Sequence, residues 1–135
     1  MRYRQTEFTL ELQEKIQDME TKLAAYAKQI QERHQDDFEK KGLYFETELK
    51  KSAGHPFNPG YESVILLGAG LNKTEEFELH IIPIWKCDRI FMGMPVVRQI
   101  PGSQIYGELA EEQIGHIKEE IDGHVEELHD WLYTL

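Results

Sequence analysis

Four groups of residues have the types and spacing to do chemistry. The first is Leu67-Gly68-Ala69-Gly70-Leu71-Asn72-Lys73-Thr74, in which a lysine and a hydroxyl follow a glycine-rich run. That order suits a backbone cradle for phosphate, with Lys73 and Thr74 in the places that hold phosphate and magnesium. The phosphate-loop pattern needs glycine where Leu67 and Asn72 stand, and the dinucleotide pattern needs a third glycine where Lys73 stands. Both also need a helix directly afterwards, whose free amides bind the anion. Glu76 to Trp85 instead alternates like a strand, so the segment reads as a β-hairpin with glycines permitting positive φ at its turn.

The second group, His116, Glu120 and His124, recurs every four residues, as metal ligands on successive helical turns would. Two histidines eight residues apart lie about 12 Å apart along a helix axis, too far to share one ion easily. Zinc there would need ligands from elsewhere, and no metal ligand or cofactor is assigned from the sequence. The third is Cys87, the one cysteine, beside Lys86, which favours a thiolate, and Asp88, which opposes it. No Gly-x-Ser-x-Gly elbow is present, so Cys87 is the one nucleophile to consider, and a thiol without a role is the simpler expectation.

The fourth group is acidic. Residues 108–135 carry nine acids and one base, Lys118, and so account for −8 of the net charge of −10. Glu112, Glu119, Glu126, Glu127 and Asp130 fall on the outward side of a C-terminal helix. Such a face serves solubility, or docks a basic protein partner; it argues against nucleic-acid binding. His116, His124 and His129 make the same segment charge-sensitive between about pH 5 and 7.

These groups need a frame, and the 135 residues suffice for one domain with its own core. Leu12, Ile16, Met19, Leu23, Tyr26 and Ile30 step by three and four, which predicts a helix from about Thr9 to Lys41 with Lys40 and Lys41 in its last turn. Gly42 reads as the left-handed residue past its end. A straight rod of that length spans roughly 48 Å, longer than a compact body of this size. It must bend, near His34 to Asp37 where the stripe turns polar, or overhang and offer a homodimer contact. The simpler outcome packs the stripe on the chain's own sheet.

Strands are expected at Leu43–Leu49, on either side of the glycine run, and at Arg89–Val97. Phe77, Leu79 and Ile81 are placed on one face, with Glu76, Glu78 and His80 on the other. Met1–Phe8 is compatible with a short edge strand or an arm. Ser52–Gly60 is a loop, Trp85–Asp88 a turn, and Gln99–Gly107 a connector. A second helix is expected over Glu108–Leu132, on the stripe Ile114, Ile117, Ile121, Val125, Leu128 and Leu132. The fold class is α+β, ordered α-β-β-β-β-α: a long N-terminal helix, a four-stranded antiparallel meander and a C-terminal helix in two layers.

Composition excludes a disulfide framework, and no apolar run approaches the length of a membrane span. The opening MRYRQTEF lacks the apolar stretch of a signal peptide, so a cytoplasmic protein is expected. The leading functional expectation is a non-enzymatic protein that binds a protein partner. The alternative is a small-molecule domain, with weak catalysis, in which Trp85, Phe91, Met92, Met94 and Tyr106 line an apolar pocket between sheet and helices.

Overall fold

The computed structural model describes residues 1–134. Helix α1 (Leu10–Glu39) starts where Thr9 Oγ1 accepts a hydrogen bond from the Leu12 amide at 3.2 Å. Gly42, at φ +71°, turns the chain out of the helix, and the Leu43 amide closes on the Phe38 carbonyl. Lys40 and Lys41 lie just beyond the last turn rather than in it. Leu12, Ile16, Met19, Leu23 and Ile30 are all buried, joined by Ala27, Glu20 and Phe38 from the same side, while Tyr26 is partly exposed. The stripe is thus taken up within the chain.

The chain then runs through β2 (Tyr44–Lys51), β3 (Glu62–Asn72), β4 (Glu75–Phe91), β5 (Met94–Pro95) and β6 (Gln104–Leu109) into helix α2 (Ile114–Tyr133). The N-terminal Arg2–Arg4 forms β1. The antiparallel sheet is ordered β1-β6-β4-β3-β2, with β5 a short return on β4. The α+β class stands, with more strands than the expected four. Residues opposite one another across antiparallel strands share a face. His80 lies opposite Leu67 and stacks on His124 of α2; Phe45 lies opposite Ala69 and stacks on Phe38 of α1. Both helices therefore cover the same face.

Several expectations are corrected. Lys73-Thr74 alone makes the hairpin turn, held by Asn72 Oδ1, which accepts from the Thr74 and Glu75 amides. Gly68 and Gly70 lie inside β3 with negative φ, where a Cβ would strike Glu76 or the Glu75–Glu76 backbone. They are glycines for closeness of approach, not for turning. Trp85–Asp88 is no turn but the middle of β4, and the expected fourth strand breaks at Met92-Gly93, both at positive φ, as in a two-residue type I′ hairpin. Gln99–Gly107 is not wholly a connector: its end enters β6, drawn by burial of Leu109 beside Trp85. That pairing also delays α2 to Ile114, leaving Glu108 to Gln113 outside the helix. Finally, the structure settles which way the alternating residues of β4 face. Leu79 and Ile81 face outward and are 51% and 59% exposed, while His80 faces the helices.

Trp85 anchors the inner layer. It is fully buried, its Nε1 donates to the Pro56 carbonyl at 2.7 Å, and Tyr3, Phe8 and Phe57 surround the ring. Gly107 on β6 supplies the floor, since a Cβ there would overlap the indole. A second buried tie joins α1 to the start of β3: the Tyr61 hydroxyl donates to Glu20 Oε2 at 2.7 Å. Burial and that carboxylate both push the Tyr61 phenol well above its usual range. Tyr61→Phe leaves a buried carboxylate without its donor and is predicted to cost roughly 2–3 kcal/mol in urea unfolding. Glu20→Gln, which keeps an acceptor, is predicted to cost less.

Candidate functional site

Strand β4 has different neighbours along its two halves. At Trp85 and Lys86 it lies between β3 and β6, and from Cys87 to Ile90 it keeps β6 on one side with Gly60–Tyr61 and the β5 return on the other, but from Glu75 to Pro83 it pairs with β3 alone. Among the described residues no strand covers the other edge of Glu75–Pro83. An unpaired edge offers a row of amides and carbonyls to any extended chain. The two outermost strands are treated otherwise. On β2, the Gln31 side chain of α1 donates to the Phe45 carbonyl at 2.8 Å and accepts from the Thr47 amide at 2.6 Å, so it stands in for a strand. On the far side β1 is three residues long and carries Arg2 and Arg4.

The β4 edge is apolar and rimmed by acid. Phe77, Leu79 and Ile81 are all substantially exposed, and Phe77 packs at 4.8 Å on Trp131 of α2, itself partly exposed. Glu75, Glu76 and Glu78 interleave with them. Glu76 is held above the ordinary carboxylate range, chiefly by burial and then by Glu46 and Glu48 of β2, on the far side of β3. Glu119, Glu126, Glu127 and Asp130 are exposed on α2, whereas Glu112 precedes the helix and accepts from the Tyr3 hydroxyl. Lys118, the one base of this segment, lies over the Tyr26 ring at 5.0 Å. Tyr26 in turn donates to Asp122.

Histidines line the seam between the helices and β4. His80 and His124 stack with centroids 4.0 Å apart, and Glu127 stands 3.9 Å from His124 Nδ1, beyond hydrogen-bond reach. Nearby, His129 Nε2 on α2 lies 3.0 Å from Asp37 Oδ2 on α1, and His34 meets the His129 ring edge-on. That hydrogen bond holds the Asp37 carboxyl below its usual range. Burial, then the charges of His129 and Arg33, keep His34 below the ordinary imidazole value. The polar break in the α1 stripe at His34–Asp37 is therefore one of the places where α1 meets α2, with Tyr26 another. The sequence carried only the three-residue spacing of His34 and Asp37; their partner lies 92 positions beyond Asp37. His116 sits instead beside Glu111 at 3.3 Å, so it and His124 serve different neighbours.

The five residues considered for an apolar pocket are dispersed. Trp85 is sealed in the core and Phe91 is half-buried. Tyr106 carries Arg2 over its ring at 4.1 Å and donates to Gln104. Met92 and Met94 stand in solvent at the tip of the β4–β5 hairpin, 86% and 68% exposed. Cys87 is fully buried, donates its thiol to the Phe57 carbonyl, and is pushed up to about 11 by burial and then Asp88.

No family model, curated protein or solved structure matches this chain.

Two outcomes follow from these groups. Cys87 is predicted to resist a thiol reagent at neutral pH in the folded protein and to react fully once urea unfolds it; rapid labelling of the native chain would contradict its burial. Glu76, with its raised value, is protonated more readily when folded than unfolded. Its contribution is therefore favourable at pH below the unfolded value of 4.5 and lost as pH rises through the folded one. Glu76→Gln is accordingly predicted to raise the thermal midpoint at pH 7, with the gain shrinking below pH 4.5.

Proposed function

We propose that this is a non-enzymatic, cytoplasmic protein that binds a protein partner, and that its docking surface is the free edge of β4 with the acidic face of α2. The observation that carries the reading is the unpaired apolar edge at Glu75–Pro83, left open while the β2 edge is capped by Gln31. A chain added to a sheet edge gains backbone hydrogen bonds, and alternate side chains set its specificity. Here Leu79 and Ile81 offer an apolar contact, with Glu75, Glu76 and Glu78 beside it and Glu126, Glu127 and Asp130 on the adjacent helix. The complementary partner is an extended segment of alternating apolar and basic residues. The exposed methionine tip offers side chains alone, without an open backbone, and so makes a poorer anchor.

The interior supports a binding surface over an enclosed ligand site. The inner face is filled by Ile65, Leu67, Ile82, Trp85 and the two helical stripes in one continuous core. Among the described residues no helix is long and apolar enough to cross a membrane. The cytoplasmic placement rests on the lone reduced thiol of Cys87.

The test is a titration with a synthetic ten-residue peptide of alternating valine and lysine, followed by amide chemical shifts. Shifts are expected along Glu75–Pro83 and the second half of α2, with affinity falling at least tenfold between low and near-molar salt. Leu79→Asp combined with Ile81→Asp is expected to abolish binding without unfolding the chain, since both side chains are outward. Binding indifferent to salt, or shifts confined to the Met92–Met94 tip, would sink the assignment.

A further inference from the structure

A separate feature of the seam points to metal chemistry and does not depend on the partner surface. His34, Asp37 and His129 each bring one ligand atom to a common point, with all three atoms within 4.8 Å of one another. We propose that these three residues form a binding site for one divalent first-row transition ion of the zinc type, clamping the C-terminal end of α1 to α2.

The donor set selects the class of ion. Two imidazoles and a carboxylate suit zinc, cobalt or nickel, whereas calcium and magnesium take shells of oxygen. Tetrahedral zinc with nitrogen and oxygen ligands keeps those atoms roughly 3.4 Å apart. The His129–Asp37 separation of 3.0 Å is already close to that, and the 4.8 Å bound leaves His34 a small side-chain rotation to make. His34 and Asp37 share one face of α1 by their three-residue spacing, and packing of α2 delivers the third ligand.

Two observations indicate that the cluster is poised for an additional ligand. His34 Nδ1 is shielded from solvent yet has no hydrogen-bond partner, a cost that a buried polar atom does not bear without compensation. Beside the cluster lies an open cavity of ≈ 410 Å³, bordered by His34, His129, Arg33, Asp122, Glu126 and Asp130. It gives an ion a way in and leaves room for water as a fourth ligand, and its three carboxylates outweigh the Arg33 charge. On binding, the ion takes the place of the hydrogen bond between His129 Nε2 and Asp37 Oδ2, and the neutral imidazole carries its one proton on Nδ1.

Cobalt(II) titration of protein carrying no histidine tag tests this directly. The expected result is saturation at one equivalent, with the strong visible absorption of four-coordinate cobalt, bleached when zinc displaces it. Asp37→Asn, isosteric and partly exposed, and His129→Gln are each expected to weaken binding by more than about 100-fold. Their metal-free far-ultraviolet spectra should match the parent's, so that lost binding is not lost folding. His116→Gln, which alters an exposed histidine outside the cluster, should bind as the parent does. Zinc should raise the thermal midpoint of the parent and leave those of Asp37→Asn and His129→Gln unmoved. Absence of saturable one-equivalent binding, or its persistence in both variants, would overturn the proposal.

Discussion

Strand β4 is seventeen residues long and β6 only six, so the sheet cannot pair β4 on both sides along its whole length. Backbone amides and carbonyls left without partners inside a protein are costly, and at a surface they are an invitation. The rest of the molecule follows from where that shortfall falls. It falls on Glu75–Pro83, beyond the reach of β6, because the chain leaves β6 at Leu109 to begin α2. The last link is the Ala110 amide, which bonds the Ile84 carbonyl. Past that point one edge of the strand is open.

The paired half of β4 shows what full satisfaction requires. Trp85 fills the inner layer, Gly107 makes room for it, and Pro56 receives its indole hydrogen bond. Cys87, two residues on, is sealed beneath the 55–60 loop through its contact with Phe57. The open half has no such cover on its outer face, where Leu79 and Ile81 meet solvent. One strand thus buries inner-face residues along both halves, Ile82 as well as Trp85 and Cys87, and exposes large apolar side chains on the outer face of the open half. The acidic residues around the exposed half give that surface a negative potential, under which two copies of the edge repel each other.

Much of the frame was legible in the sequence because helix periodicity is local. The stripe from Leu12 to Ile30, its Thr9 start and its Gly42 stop needed no tertiary information. What escaped depended on neighbours distant in sequence. Gly107 reads as a loop residue until Trp85 is placed over it, and Gln104–Leu109 reads as a connector until β4 is there to pair with. The alternation of Phe77 to Ile81 is visible in the sequence, but its facing is not, because periodicity alone does not say which face of a strand the helices cover. The bulges near Ser63–Val64 and Ala69–Gly70 set the register that turns His80 inward and Leu79 outward. The seam of His34, Asp37 and His129 joins positions on two helices, and no spacing rule within either helix could have assembled it.

The open edge is the central claim, and amide hydrogen exchange reads it most directly. Where β4 is bonded on both sides, from Trp85 to Cys87, successive amides should all be slow. Between Glu75 and Ile82 protection should alternate, with amides directed at β3 slow and the intervening ones exchanging nearly as fast as in a loop. Uniformly slow exchange along the whole of β4 would mean that something covers the edge, and would contradict the account.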